Sequence, residues 1–442
     1  MGYRELTKGS ESISGEKFDV VIVGAGVIGL SCAYHVISEE PNSKVLVVDK
    51  ALSAGQGDTA KSAAAIRNVF TSEVNRLLAS TSIDFYSHVQ NDMKFSVNLD
   101  LVGYLWLLTS QMVEHFSPII DRLRKSGVAL KVWEEEELSQ MLPGARLSVS
   151  RDDEEAKMMH LESIKKAVLG IKCGTIAPEK LVEFYEREIR KMGVEIRYGE
   201  RVTSIMIEPT PRLNLAWEPL VWQRTNVTGV RTSKSEIRAP RTILATGSWT
   251  PGLLDPLGID SHIRTKKRQI FTFRGPQISS LLNTKGFNEQ GVLPMTILPP
   301  CGIYMKPNRA EKSFWVGVSD YMGRTFTFDE DPVAEDDFFK YNIYPVISHY
   351  FPSFVDARPF NKWAGHYDMN TIDGNPYIFG DSGLVVVTGC SGSGMMKADA
   401  IGRIVAAACA KKDTATLYGG QHFKVSRLGV EARDVEPEEF VI

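Results

Sequence analysis

The sequence predicts two domains: an α/β domain on a Rossmann-type parallel sheet, and an α+β domain with a mostly antiparallel sheet. Three observations carry this. Near the start, an apolar run enters a glycine-rich loop and then an apolar helical stretch, "VVIVGAGVIGLSCAYHVI", Val20–Ile37. A strand, a glycine-rich turn and a helix recur near the other end in "GLVVVTGCSGSGMMKADAIGRIVAAACA". Between them lie segments rich in aromatics and period-two alternation, such as "IYMKP" and "SFWVGVSD". A chain of 442 residues also exceeds one compact core.

Taken in order, Phe18–Val23 reads as a buried parallel strand and Ile28–Ser38 as a helix. Pro41-Asn42-Ser43 is a turn, and Lys44–Val48 is a second apolar strand that ends at Asp49. Pro178 opens a helix to about Met192, with Leu181, Val182, Tyr185 and Ile189 at helical spacing. Gly193 closes it. "VEIRYGERVTSI" alternates like strands, and "APRTILATGSW", Ala239–Trp249, is a strand ending in small residues. Leu384–Thr388 is a strand, followed by the turn and a helix to about Ala410. These elements assign 16–80, 172–255 and 361–415 to the first domain. Residues 81–171 and 256–360 form the second, and 416–442 a C-terminal extension.

Apolar residues make up 43% and charged residues 24%, and the net charge is −3, which fits a soluble globular protein. No basic stripe is present, which argues against nucleic acid as a partner. The first 17 residues, "MGYRELTKGSESISGEK", lack the apolar core of a signal peptide. No apolar run reaches the ~18 residues of a membrane helix. Peripheral membrane contact and a homodimer stay open. The five cysteines are scattered without a C-x-x-C, and read as buried or free thiols of a cytoplasmic protein. The histidines show no ligand spacing, so no metal is expected.

Phosphate oxygens need close N–H donors, and glycine lets the backbone approach them. Gly24 makes the tight turn, Gly26 allows the approach, and Gly29 lets helix and strand pack. Asp49, 20 residues beyond Gly29, suits ribose hydroxyls and disfavours a 2′-phosphate, and so NADP. The first unit alone does not separate NAD from FAD, because both present an ADP half. Alone, Ala245-Thr246-Gly247 is also an ordinary strand end, and Gly389, Gly392 and Gly394 an ordinary structural turn.

The opening unit together with "GTIAPEKLVEFY", "ATGSW", "NTIDGNPYI" and "GCSGSGMMKADAIG" resembles the D-amino-acid-oxidase superfamily of FAD-dependent oxidoreductases, from Phe18 to about Ala410. The nearer branch holds sarcosine oxidase, glycine oxidase and dimethylglycine dehydrogenase, with archaeal dye-linked L-proline dehydrogenases similar in overall character. The resemblance implies noncovalent FAD in the first domain and substrate on the second. It implies that Gly24, Gly26, Val27, Ile28 and Gly29 line the pyrophosphate, and Asp49 with Lys50 the adenosine ribose. Val202 would clamp adenine through its backbone. Ala245, Thr246, Gly247 and Trp249 would lie near the adenosine and pyrophosphate portion. Ser62, Ala63 and Ala64 would pass close to the flavin, and Gly392, Ser393, Gly394, Met395 and Met396 would form the loop beside its ring.

On the substrate side the resemblance implies Arg67 for the carboxylate, where a guanidinium fits bidentately. It implies aromatic contact from Tyr304, and an approach to the flavin by His366 and Tyr367. A structural role for each of these four is the competing reading. Two departures stand out. Some sarcosine oxidases attach flavin to a cysteine where this chain has "WAGHYDMN" without one. The lysine that activates oxygen in those oxidases aligns with Trp315, and an indole supplies no charge, which favours a dehydrogenase over an oxidase. The activity implied is oxidation of the C–N bond of a small amino acid or amine, with L-proline to 1-pyrroline-5-carboxylate as the leading case. Hydride would pass to flavin N5, and electrons to a quinone, dye or partner flavoprotein subunit. No general base is assigned. The alternatives are a 2-hydroxy acid or glycerol 3-phosphate dehydrogenase, and a non-catalytic flavin-binding assembly factor.

Overall fold

The computed structural model describes residues 16–142, 144–319 and 323–440. The start of the polar N-terminal stretch lies outside them. A six-stranded sheet forms the first domain, in the order Tyr377–Phe379, Leu384–Thr388, Arg241–Leu244, Val20–Val23, Val45–Val48, Glu195–Arg197. All neighbours are parallel except the first pair. The central strands Val20–Val23 and Val45–Val48 are buried at every residue, which is why they read as unbroken apolar runs. A separate four-stranded sheet (Glu16–Lys17, Glu236–Arg238, Arg224–Thr232, Val202–Thr210) lies beside it.

The helices of this domain are Val27–Glu39, Pro178–Lys191 and Gly394–Cys409, together with Glu73–Asn91. Glu73–Asn91 begins with Ser72, whose hydroxyl caps the Asn75 N–H. It sends Ile83, Phe85, Tyr86 and Val89 into the first domain's core. The first domain therefore continues past residue 80 to the end of this helix, because these side chains find their apolar partners there. The first and last helices cross closely at Gly402, where a Cβ would collide with the Ser31 side chain and backbone. Ser31 Oγ donates to the Ala398 carbonyl at 2.8 Å. The fully buried Asp399 sits between His35 (2.8 Å) and Arg403 (2.8 Å), so its charge is partnered on both sides.

The second domain is built on an eight-stranded sheet. Its order is Asn361–Asn370, Ile263–Phe273, Ser313–Val318, Ile303–Asn308, Met295–Leu298, Tyr104–Thr109, Ile164–Gly170, Leu130–Glu134. Only the Met295–Leu298 and Tyr104–Thr109 pair is parallel. Asn361–Asn370 pairs with Ile263–Phe273 over ten residues, so the boundary expected at 361 moves to the end of this strand. The side-chain period of two splits the faces. Ile303 and Met305 enter one core with Phe271 and Phe314, while Tyr304 enters another with Tyr104 and Trp106. Within the extension expected at 416–442, the described residues to Phe440 join both cores. Phe423 and Leu428 pack in the first domain and Phe440 against Trp106. Among the described residues no helix is long and apolar enough to cross a membrane. Cys32, Cys173, Cys390 and Cys409 are buried free thiols.

The helix crossing gives a direct check. Gly402→Val should lower unfolding stability by about 1–3 kcal/mol through overpacking, read from denaturant or thermal unfolding.

Candidate active site

The parallel strands Val20–Val23, Val45–Val48, Arg241–Leu244 and Leu384–Thr388 all end on one cleft of about 870 Å³. Carboxyl ends of parallel strands, at the point where chain order reverses, are where such sheets bind ligands. At its centre Gly24 (φ +106°) turns the chain so tightly that a Cβ would strike the Ala245 carbonyl. The helix from Val27 has no acidic residue in its first turn, and Gly26 offers no side-chain cap. Thr59 Oγ1 accepts the Val27 N–H at 3.2 Å. The rest of the first turn is left to an outside acceptor, as a pyrophosphate requires.

At one end, Asp49 accepts the Ala25 N–H (2.6 Å) and the Ala51 N–H (2.7 Å), one on each oxygen. Each oxygen keeps a second lone pair for a ribose hydroxyl. Val202 and Lys50 line the same end, the Lys50 ammonium 4.0 Å from the Trp249 ring centroid. A loop of the second domain crosses here. Glu330 bonds Lys50 and Arg201, and these two bonds hold its carboxyl down at about 2. Phe328 stacks on His366 at 5.7 Å and meets Trp249 edge-on at 5.5 Å.

Of the expected cofactor residues, Gly24, Gly26, Val27, Ile28, Asp49, Lys50, Ser62, Ala63, Val202, Ala245, Thr246, Gly247, Trp249, Gly392, Gly394 and Met395 line the cleft. Four others lie behind its wall. Gly29 packs on the Gly24 carbonyl, Ala64 is buried at φ +49°, and Met396 belongs to the core. Ser393 turns back to donate to the Cys390 carbonyl at 2.7 Å.

Tyr304, His366 and Tyr367 are on the cleft wall; Arg67 is not. Its guanidinium lies over the Phe70 ring (4.4 Å) and donates to the Phe440 carbonyl at 3.4 Å. Besides Arg201 at the Lys50 end, the arginine that lines the cleft is Arg268, on Ile263–Phe273 and 5.0 Å from the Tyr367 ring. Nothing in the sequence marked it, because its direction depends on sheet register. The His366 side chain is fully enclosed, with Nδ1 3.3 Å from Asp58 Oδ1, and among the described residues neither ring nitrogen makes a well-aligned hydrogen bond. The Trp249 indole N–H, also on this wall, is likewise buried without a partner. Such orphans are costly in a filled protein interior and suit a cleft shaped for a polar cofactor.

Two carboxylates stand near His366. Asp58 accepts the His366 backbone N–H at 2.8 Å and the Ser248 hydroxyl at 3.2 Å. Asp368 accepts the N–H groups of Gly389 (2.8 Å) and Cys390 (3.1 Å). Burial raises Asp368 to about 6, against the pull of these amides.

Two buried lysines were also missed. Lys397 donates to Asn75 Oδ1 (2.6 Å) and Ser393 Oγ (2.8 Å), 5.0 Å from the Phe70 ring that also carries Arg67. Burial lowers it to about 8. Lys306 donates to the carbonyl of Ala63, a cleft residue, at 2.5 Å and lies 4.2 Å from the Trp315 ring, its cross-strand partner. Burial lowers it to about 7. Trp315 is thus not the end of the matter: a lysine from the next strand sits on its face, which removes the argument for a dehydrogenase built on the absence of a cation.

These residues fit FAD, with its ADP half on Gly24–Gly29 and Asp49. Asp49→Ala should weaken FAD binding by roughly 1.5–3 kcal/mol, the usual worth of bonds to a charged group, read as flavin retained per chain after gel filtration.

Comparison with known proteins agrees with this geometry. The chain is 25% identical over 425 residues to the Bos taurus FAD-dependent oxidoreductase domain-containing protein 1, covering 88% of this chain and 81% of that protein. It is 25% identical over 399 residues to the glycine oxidase of Pseudomonas aeruginosa, covering 88% and 93%. The fold is similar to that of the L-proline dehydrogenase from P. horikoshii, with a TM-score of 0.71 at 21% identity over 90% of this chain and 94% of that one. The family model for DAO, FAD dependent oxidoreductase, matches residues 19–408, and the chain belongs to this family of FAD-dependent oxidoreductases.

Proposed function

We propose that the protein oxidises the C–N bond of a small amino acid or amine, with L-proline the first substrate to test. The observation that carries this reading is the cleft wall on which Arg268, Tyr304 and Tyr367 stand together, the Arg268 guanidinium 5.0 Å from the Tyr367 ring. Arg67 and Lys397 converge on Phe70 behind that wall. A carboxylate suits the guanidinium, and an apolar side chain suits the aromatic wall. The relatives' names support the same class: glycine oxidase, and dimethylglycine dehydrogenase of Rattus norvegicus.

Bound FAD, held noncovalently, supplies the two-electron acceptor. The chain's own part is to orient the substrate. Arg268, on the cleft wall, takes the carboxylate in place of the expected Arg67, and Tyr304, His366 and Tyr367 exclude water from the reacting carbon. The substrate's C–N single bond becomes C=N by loss of one hydrogen with its electron pair from carbon and a proton from nitrogen. From proline this gives 1-pyrroline-5-carboxylate. A quinone, dye or partner flavoprotein then receives the electrons, in a cytoplasmic setting. A vestigial site would tie Arg67 into a salt bridge, and among the described residues it has none.

An anaerobic panel tests the class. Proline, sarcosine or glycine should bleach the flavin of the purified protein, while 2-hydroxyglutarate and glycerol 3-phosphate should not; the reverse pattern overturns the reading. Lys306 makes a separate prediction. Its amine is charged below about pH 7 and neutral above, and a cation near the flavin favours electron transfer to O₂. Reoxidation by air should therefore slow as pH rises through about 7. Lys306→Met should flatten that dependence and leave reoxidation by dye unchanged.

A further inference from the structure

The four-stranded sheet carries an apolar protrusion that takes no part in the cleft. Its strands Val202–Thr210 and Arg224–Thr232 form a hairpin joined by thirteen residues, "PRLNLAWEPLVWQ", 211–223. Hairpin loops usually run about 2–5 residues. Five large apolar side chains of this loop are exposed: Leu213, Leu215, Trp217, Val221 and Trp222. Trp217 is 92% exposed and Trp222 70%. Single apolar side chains on a surface are ordinary, but a cluster with two tryptophans marks a contact surface.

The loop keeps its shape through its own bonds. Glu218 accepts the backbone N–H groups of Leu213 (2.7 Å) and Asn214 (3.2 Å) and the side-chain amide of Gln223 (2.9 Å). The same amide donates to the Pro211 carbonyl at 3.2 Å, and Gln223 Oε1 accepts the Leu220 N–H at 2.7 Å. Polar groups thus bond one another within the loop, and the apolar side chains are left outside. Charge follows the same division. Glu218, the one acid in the loop, is turned into these bonds, while Arg212 and Arg224 at its two ends are exposed.

We infer that the loop 211–223 docks on a lipid bilayer, with Trp217 and Trp222 at the headgroup level and Arg212 and Arg224 against anionic headgroups. Three features favour lipid over a protein partner. Tryptophan, with an apolar body and one N–H, is enriched at membrane–water interfaces. The two arginines frame the apolar tip, and their long stems let the charge stay among headgroups while apolar atoms go deeper. A stable protein interface takes about 20–30 residues a side, whereas this patch is one loop at the end of a hairpin. The loop also stands apart from the chemistry. Val202 lines the Asp49 end of the cleft, and the extended strand from there to Thr210 spans roughly 25 Å. Substitutions in the loop therefore leave the cleft residues in place.

The test uses the FAD-loaded protein and two kinds of vesicle, phosphatidylcholine alone and phosphatidylcholine with an equal part of phosphatidylglycerol, read by flotation. The protein should float with the mixed vesicles, and several-fold less with phosphatidylcholine alone. Trp217→Ser combined with Trp222→Ser should weaken binding to both by roughly tenfold. Arg212→Gln combined with Arg224→Gln should remove most of the preference for the mixed vesicles. Flavin content and thermal unfolding should match the parent protein in both variants, because every substituted side chain is exposed. Brominated lipid gives a second readout: it should quench tryptophan fluorescence of the parent protein, and much less that of the tryptophan variant. Failure of the parent protein to float overturns the proposal, as does flotation that the tryptophan variant retains in full. A lipid preference kept by the arginine variant overturns the part given to the arginines. If the parent protein does not float but sediments as a dimer, and the tryptophan variant as a monomer, the loop joins two copies of this chain and the lipid reading falls.

Discussion

The structure depends on one close approach of backbone to backbone. At Gly24 and Gly29 the first loop, the first helix and the Ala245 turn come so near that no side-chain carbon fits between them. That approach aims a helix N-terminus, with unused N–H groups, at the same point where four parallel strands end. An anion placed there meets donors fixed before it arrives, so little reorganisation is needed on binding. Asp49 is set by the same constraint, since its carboxylate bonds the amide of Ala25 inside the loop.

The second sheet answers this from across the cleft. Its strands place alternate residues on opposite faces, so Tyr304 faces the cofactor side while Ile303 and Met305 fill the core behind. The long pairing of Asn361–Asn370 with Ile263–Phe273 brings Tyr367 and Arg268 to one wall. The loop carrying Phe328 and Glu330 then crosses to Trp249, Lys50 and Arg201 of the first domain. The cleft is thus shared by both domains, and neither sheet alone completes it.

What was legible in the sequence follows from range. The glycine loop, Asp49, the ATGSW turn and the C-terminal strand-turn-helix are local patterns whose meaning needs only neighbouring residues, and nearly all of them line the cleft. Gly29, Ala64, Ser393 and Met396 belong to the same patterns but serve packing and turns, a distinction that spacing does not carry. Arg268, Lys306, Lys397 and Glu330 were invisible because each depends on strand register or on contacts across hundreds of residues. A lysine in "IYMKP" or "GMMKADA" reads as a solvated charge until the fold encloses it. Packing near the boundaries expected at 80 and 361 has a like basis: the helix Glu73–Asn91 and the strand Asn361–Asn370 join the core and sheet that cover their apolar faces, not the nearer ones in sequence.

The enclosed lysines bear on chemistry because burial makes charge conditional. Taking an ammonium out of water favours the neutral amine, and both Lys306 and Lys397 are shifted that way by burial first. Lys306 reaches the back of the cleft through the Ala63 carbonyl and Lys397 reaches Ser393, so the charge of each depends on what lies beside it. A bound carboxylate near Phe70 would draw a proton onto Lys397, and reduced flavin near Ala63 would do the same for Lys306. Protonation of these lysines behind the cleft is linked to the charge of what the cleft holds.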